Sequence, residues 1–112
     1  MARTDVVAQQ ISRLGITPSF AAPNVAGNMF ANDGRTYLEV KNGSASPINV
    51  TLNIPVLVDG NAVTNPVIAV PATTGDKIIG PFPPGIFNQP DGKVYIDFSA
   101  VVTVTIAVLQ LP

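Results

Sequence analysis

The sequence contains no cysteine, no histidine and no tryptophan among its 112 residues. Without cysteine it has no disulfides, thiolate metal sites or cysteine nucleophiles. Without histidine it also lacks the commonest general base and the usual zinc ligand. Charged residues make up only 12%, against a usual share of about 25%. Six Lys+Arg against seven Asp+Glu give a net charge of −1, so no basic field faces a nucleic-acid backbone. We therefore expect neither an enzyme nor a nucleic-acid-binding protein.

Long hydrophobic runs and cofactor motifs are also missing. The most apolar stretch, residues 100–109, is interrupted by Thr103 and Thr105 and is shorter than the roughly 20 residues of a membrane-spanning helix. Residues 1–5 lack the apolar run of a secretory signal. No phosphate-binding loop or EF-hand spacing is present, and three Asp-Gly pairs are typical of turns. We expect no membrane span, no metal, no cofactor and synthesis in the cytoplasm.

Period-two alternation of apolar and polar residues dominates the chain after residue 34. Eleven prolines and nine glycines argue against a helical bundle. Alternation and turn residues predict short strands at 35–41, 48–54, 56–58, 61–63, 67–70, 77–79, 93–98 and 102–108. The Asp59-Gly60 pair predicts a tight hairpin turn. In residues 11–16 we favour a strand over a short helix capped by Asp5.

Strands of this length and spacing predict an all-β protein. The predicted fold is a single-domain β-sandwich over residues 1–112, jelly-roll or immunoglobulin-like, with seven to eight short, mostly antiparallel strands. An extended N-terminal arm could also lie within residues 1–30. The alternation predicts a core composed of Leu38, Val40, Val50, Leu52, Val94, Ile96, Phe98, Val104 and Ile106.

A proline-rich loop over residues 80–90 contains the first set of candidate functional residues. Four prolines restrict the loop and lower the entropy lost when it is held still. One interpretation is a preorganised contact with another protein chain. The other is a loop that closes one end of the sandwich with its own aromatic rings. The candidate interface residues are Phe82, Pro83, Pro84, Ile86 and Phe87.

Two tyrosines form a second, separate candidate. Tyr37 and Tyr95 lie on the polar faces of their predicted strands. They could stack on sugars or other ligands, although exposed tyrosines in a sheet more often pair across strands.

Several segments resemble the small head proteins of tailed bacteriophages that are made beside the major capsid protein as decoration, or cement, subunits. They are residues 1–4 (MART), 32–36 (NDGRT), 38–42 (LEVKN), 79–82 (IGPF), 87–89 (FNQ), 91–98 (DGKVYIDF) and 109–112 (LQLP). The resemblance implies a β-sandwich that binds the major capsid protein on the outside of a shell, often as a trimer. It supplies no catalytic residues, and residues 55–74 have no counterpart in it.

The expected function is therefore that of a structural virion protein on the capsid surface. The low charge and a mean hydropathy of +0.37 fit this expectation, because apolar surface on a free subunit usually marks a protein interface. Two alternatives remain: another virion part, such as a head-fibre or tail-tube subunit, and a carbohydrate-binding β-sandwich that uses Tyr37 and Tyr95.

Overall fold

The computed structural model describes residues 3–112. Strands account for 43% of these residues and helix for 4%, which confirms the all-β prediction. The elements are β1 (Thr4–Asp5), β2 (Gln9–Gln10), β3 (Asn28–Ala31), β4 (Thr36–Asn42), β5 (Ile48–Leu52), β6 (Leu57–Val58), β7 (Asn61–Ala62), β8 (Val67–Val70), β9 (Gly75–Ile79), α1 (Pro84–Phe87), β10 (Lys93–Phe98) and β11 (Val104–Gln110).

The strands form two main sheets and a separate hairpin. The first sheet has the order β1-β3-β10-β5-β8, the second has the order β2-β11-β4-β9, and β6 pairs with β7. Two pairings among the described residues are parallel, β1 with β3 and β2 with β11, and the other six are antiparallel. We leave out β1 and the hairpin and renumber the remaining eight strands 1 to 8 in chain order. The first sheet then has the order 2-7-4-5 and the second sheet has the order 1-8-3-6. This is the strand order of a jelly roll, an antiparallel architecture, except that the first and last of these strands, β2 and β11, pair in parallel.

The core lies between the two sheets and is formed by the inward-facing residues of both. In β4, Leu38 and Val40 face inward, and in β10 Val94 and Ile96 do the same. Eight of the nine predicted core residues are buried. Phe98 is the exception. It is only half-buried because it is the last residue of β10, where it packs against the core from the end of the strand.

The sequence analysis missed strands in the first third of the chain. The predicted strand at 11–16 is wrong, and so is the alternative helix: β2 ends at Gln10, and a turn follows in which the Gly15 amide donates to the Ser12 carbonyl. β3 was not predicted because its inward-facing residues are Asn28 and Phe30. A buried asparagine breaks the apolar alternation, yet Asn28 is satisfied by accepting the Asn24 amide at 2.9 Å.

The N-terminal segment connects both sheets. β1 pairs with β3 in the first sheet, and β2 pairs four residues later with β11 in the second. Farther along the same edge of β11, Ala21 forms a bridge with Ile106. Residues 3–10 therefore close one side of the sandwich, while Met1 and Ala2, where the predicted domain and the resemblance begin, lie outside the described residues. No helix in residues 3–112 is long and apolar enough to cross a membrane.

Candidate protein-interaction surfaces

The proline-rich loop is anchored in the core by Phe82. Only 1% of this residue is exposed. Its ring centroid lies 5.4 Å from that of Phe30 in a tilted arrangement and 5.5 Å from that of Phe87 in an edge-to-face arrangement. Phe87 is partly buried against the same cluster. The two rings thus close one end of the sandwich, which is the second of the two interpretations of this loop.

Two asparagines fix the loop to the strand connection beside it. The Asn32 side-chain amide donates to the Phe82 carbonyl at 2.8 Å and to Asn88 Oδ1 at 2.8 Å. Asn88 returns a bond from its own side chain to the Asn32 carbonyl at 3.1 Å. Asn32 is buried, and an unpaired buried amide is costly. These bonds hold the Phe82 backbone in place.

The other candidate residues of the loop differ in how exposed they are. Pro83, Pro84 and Ile86 are exposed, and the short helix α1 begins at Pro84. Phe82 cannot serve as an exposed anchor, because its ring is enclosed by its own subunit. Pro83, Pro84 and Ile86 therefore remain surface candidates, and Phe87 can contribute only the part of its ring that stays accessible.

The two candidate tyrosines lie on the outer faces of different sheets and cannot form one platform. Tyr95 is in β10 of the first sheet and Tyr37 is in β4 of the second. The Arg3 guanidinium lies 4.7 Å from the centre of the Tyr95 ring. The Tyr95 hydroxyl donates to Asp91 Oδ2 at 2.8 Å, and this bond holds the pKa of Asp91 below its usual value. Tyr95 is therefore occupied by contacts within the subunit.

The hairpin over residues 54–65 exposes a continuous run of apolar residues. Its predicted turn is present: Asp59 has φ 50° and Gly60 has φ 77°, the left-handed values that a primed two-residue turn requires. All six residues from Leu57 to Ala62 are exposed, and Leu57 and Val58 are each 59% exposed. The sequence predicted this hairpin but gave it no function. The signal was the run Val56–Val58 beside the turn, which is apolar on both faces.

A chain of polar side chains ties the base of the hairpin to the first sheet. Asn65 Oδ1 accepts the Ile54 amide at 2.9 Å, and the Asn65 side-chain amide donates to Asn53 Oδ1 at 3.2 Å. Asn53 donates in turn to Asp97 Oδ2 at 2.8 Å, and Arg3 Nη1 lies 2.8 Å from Asp97 Oδ1. The hairpin is thus held at its base, while the six residues of its tip are exposed.

The Asp97 carboxylate, at the centre of this series of polar contacts, is stabilised by its partners. Burial pushes the pKa of Asp97 upward, but the hydrogen bonds from Arg3 and Asn53 and the positive charge of Arg3 outweigh this, so the pKa lies below its ordinary value of 3.8. Gly27 leaves room for the ion pair, since a Cβ at this position would collide with the Arg3 guanidinium and with Asp97. Its φ of 103° also favours glycine.

An apolar groove of about 340 Å³ opens on the outer face of the second sheet. Ile78 of β9, which is 65% exposed, forms one wall of it. Gly80 lies against Tyr37, and a Cβ at Gly80 would come within 2.8 Å of the Tyr37 Cβ, so a side chain here would push into the tyrosine. The full lining is Arg35, Tyr37, Ile78, Gly80, Pro81 and Leu111.

Glu39 and Asp76 are the two acidic residues whose carboxyl groups influence each other most directly. Residues 3–112 contain no group of three or more side chains that could hold a metal ion. Burial raises the pKa of Glu39, and a hydrogen bond with Asp76 and the negative charge of Asp76 raise it further. This pair lies on the open outer face of the second sheet, between β4 and the edge strand β9. No protein-family model, curated protein or solved structure matches this chain.

Proposed function

We propose that the chain is a structural virion protein that decorates the outside of a tailed-phage capsid, binds the major capsid protein and associates with copies of itself. The observation that carries this proposal is the combination of an exposed apolar hairpin and an open apolar groove on one small subunit. Exposed apolar patches on soluble domains usually mark interaction sites. The sequence segments that resemble phage decoration subunits give the proposal its particular setting.

The fold supports the proposal only in general terms. Jelly rolls occur in viral capsid proteins and also in sugar-binding proteins, and a fold alone does not determine function. The distribution of apolar side chains is more specific. Binding that occurs only on the assembled shell stabilises that shell by mass action, and it needs complementary surfaces rather than a catalytic centre.

A sugar-binding role is less well supported by the geometry. Stacking on a sugar requires an accessible aromatic face, and the Tyr95 ring faces the Arg3 guanidinium. Tyr37 contributes to an apolar groove that lacks the dense polar lining by which proteins hold hydroxyl groups. The protein-assembly function therefore takes precedence over this alternative.

The test is binding of the purified protein to isolated heads of the phage whose genome encodes it. We expect saturable co-sedimentation with the heads, at a high copy number per particle, and a higher temperature of shell disruption when the protein is bound. A low copy number would indicate a fibre instead, and co-sedimentation with tails would indicate a tail subunit. Absence of binding to every virion part, or selective binding to glycans in a glycan array, would overturn the proposal.

A further inference from the structure

We propose that the tip of the hairpin, residues 57–62, docks into the apolar groove on the second sheet of another copy of this chain. This inference rests on the proposed function, because it names the contact through which the subunits associate. It involves two different surfaces of the same chain, one that projects and one that is recessed.

The projecting surface is poorly explained by the isolated subunit. Two-stranded hairpins are at best marginally stable alone in water, and this one exposes Leu57 and Ala62 side by side on one face, since the two residues are paired. The polar chain through Asn53 and Asn65 fixes the base of the hairpin. A held but uncovered apolar tip loses little entropy on docking, because its backbone is already ordered.

The recessed surface has matching chemistry. Tyr37, Ile78, Pro81 and Leu111 supply apolar walls to a groove of about 340 Å³, which is large enough for aliphatic side chains at a hairpin tip. Filling the groove would cover Ile78, which is otherwise one of the more exposed large apolar residues of the chain. The same contact would therefore remove apolar area of both surfaces from water.

Each surface carries one charged residue, and the two residues are of opposite sign. Asp59, at the turn, is the only charged residue between positions 54 and 65, and Arg35 is the only charged residue that lines the groove. Arg35 Nε and Nη2 both donate to Asp33 Oδ2, at 3.3 and 2.8 Å. Asp33 already balances the charge of Arg35, but a guanidinium has five N–H donors, so Arg35 retains donors with which it can bridge Asp33 and the carboxylate of an incoming Asp59.

A hairpin that fills the groove must belong to another copy rather than to the same chain. The base of the hairpin is tied to Asp97 through Asn53, on the outer side of the first sheet. The groove opens on the outer side of the second sheet, across the whole core. A contact between unlike surfaces of identical chains runs head to tail and closes into a ring when the rotation between copies allows it.

Disulfide trapping tests this contact directly. The chain has no native cysteine, so Leu57→Cys and Ile78→Cys each introduce a single thiol. An equimolar mixture of the two variants is expected to form the mixed disulfide dimer in large excess over either variant oxidised alone. Predominant dimers of Leu57→Cys with itself would indicate a hairpin-to-hairpin contact and overturn the inference. A mixture that forms no more dimer than a Val25→Cys control would also overturn it.

Charged substitutions provide the second test. Leu57→Asp and Ile78→Asp should each weaken self-association about tenfold or more, as for other central interface residues. Val67→Asp is the matched control: Val67 is 57% exposed, but on the edge strand β8. Equal weakening by Val67→Asp would indicate edge-strand pairing and contradict the groove contact. Asp59→Asn and Arg35→Gln should weaken association by similar factors, and the double variant should do no more than either one.

The two proposals fail in different ways. Suppose that the parent protein binds heads, but the cysteine mixture forms no more dimer than the Val25→Cys control and the Asp variants associate as Val67→Asp does. The docking contact is then wrong and the virion function stands. If the parent protein binds no virion part but the mixed disulfide forms, the contact stands and the virion function is wrong. A parent protein that stays monomeric in solution and on heads rules out the contact.

Discussion

The proline-rich loop and the hairpin are two connections of similar length with opposite uses of their apolar residues. The loop directs Phe82 into the core and fixes its backbone through Asn32 and Asn88. The hairpin turns Leu57 and Val58 outward and is fixed only at its base. Restricted backbone is common to both. They differ in where their apolar residues lie. Those of the loop lie over the open end of the sandwich, whereas those of the hairpin lie beyond the sheets.

The comparison predicts that the loop determines the stability of the fold and that the hairpin does not. Phe82→Ala should cost about 3–5 kcal/mol of unfolding free energy, because it leaves a cavity beside Phe30 and Phe87. Ile86→Ala, in the same loop but on its exposed side, should change stability by no more than about 0.5 kcal/mol. Urea denaturation of both variants measures the difference. Equal effects would mean that the loop is not anchored as described.

The polar anchor of the loop should have the next largest effect. Asn32→Ala removes the amide that holds the Phe82 carbonyl and Asn88, and we expect a loss of about 1–3 kcal/mol. Asn61→Ala, on the exposed hairpin, serves as the matched control and should be nearly neutral. Thermal melting of the two variants checks this, and a neutral Asn32→Ala would show that water replaces these bonds without cost.

The polar chain at the base of the hairpin should contribute less, and in a pH-dependent way. The pKa of Asp97 is lower in the folded protein than its ordinary 3.8, so the stabilisation is present above that value and is lost as the pH falls through the folded pKa. Asp97→Asn should therefore destabilise the protein at pH 7, by about 1 kcal/mol or less for so accessible a pair.

Melting curves from pH 7 down to pH 2 test this expectation. The difference between the parent and Asp97→Asn should narrow below about pH 4, near the ordinary pKa of an aspartate. In an Arg3→Gln background the same substitution should have a smaller effect, since the two residues act as a pair. A difference that is constant with pH would exclude the ion pair as its cause.

The smallest effect on the whole fold is expected at the turn of the hairpin. Gly60 has φ 77°, and an alanine there is strained by about 1–2 kcal/mol. Because all six residues of the tip are exposed, Gly60→Ala should speed amide exchange at Leu57 and Ala62 and leave the global melting temperature unchanged. Gly85→Ala is the control, as a Cβ at Gly85 meets open space. A global loss of stability would show that the hairpin belongs to the core.

Strand positions were largely predictable from the sequence where alternation was regular. β10 lies at the predicted residues 93–98, and the Asp59-Gly60 hairpin forms as expected. β3 was not predictable in this way, since its inward Asn28 depends on a bond to the Asn24 amide, 4 residues away in an irregular segment. The two-residue strands β1 and β2 are too short to carry a periodic signal.

The position of Phe82 was the main limit on predicting the candidate site. Its local sequence fits both an exposed aromatic residue that contacts another chain and a buried ring that closes the core. The choice depends on Asn32, 50 residues away, whose amide holds the Phe82 carbonyl. Likewise, the groove combines residues from β4, β9 and the C-terminal end, and only the pairing of the strands brings them together.

The way the N-terminal segment is attached also bears on how the subunit responds to force. β2 lies parallel to β11, the last strand, so tension applied before β2 and after β11 pulls the two strands along their length in opposite directions. The bonds between them, including the one from the Ile11 amide to the Gln110 carbonyl at 2.9 Å, are then loaded together in shear. Tension across the antiparallel β6–β7 hairpin instead peels its bonds one at a time. Single-molecule stretching between residues 3 and 112 should therefore meet greater resistance than stretching between residues 57 and 62. We therefore expect the subunit to be mechanically stiff along β2 and β11 and compliant at its hairpin.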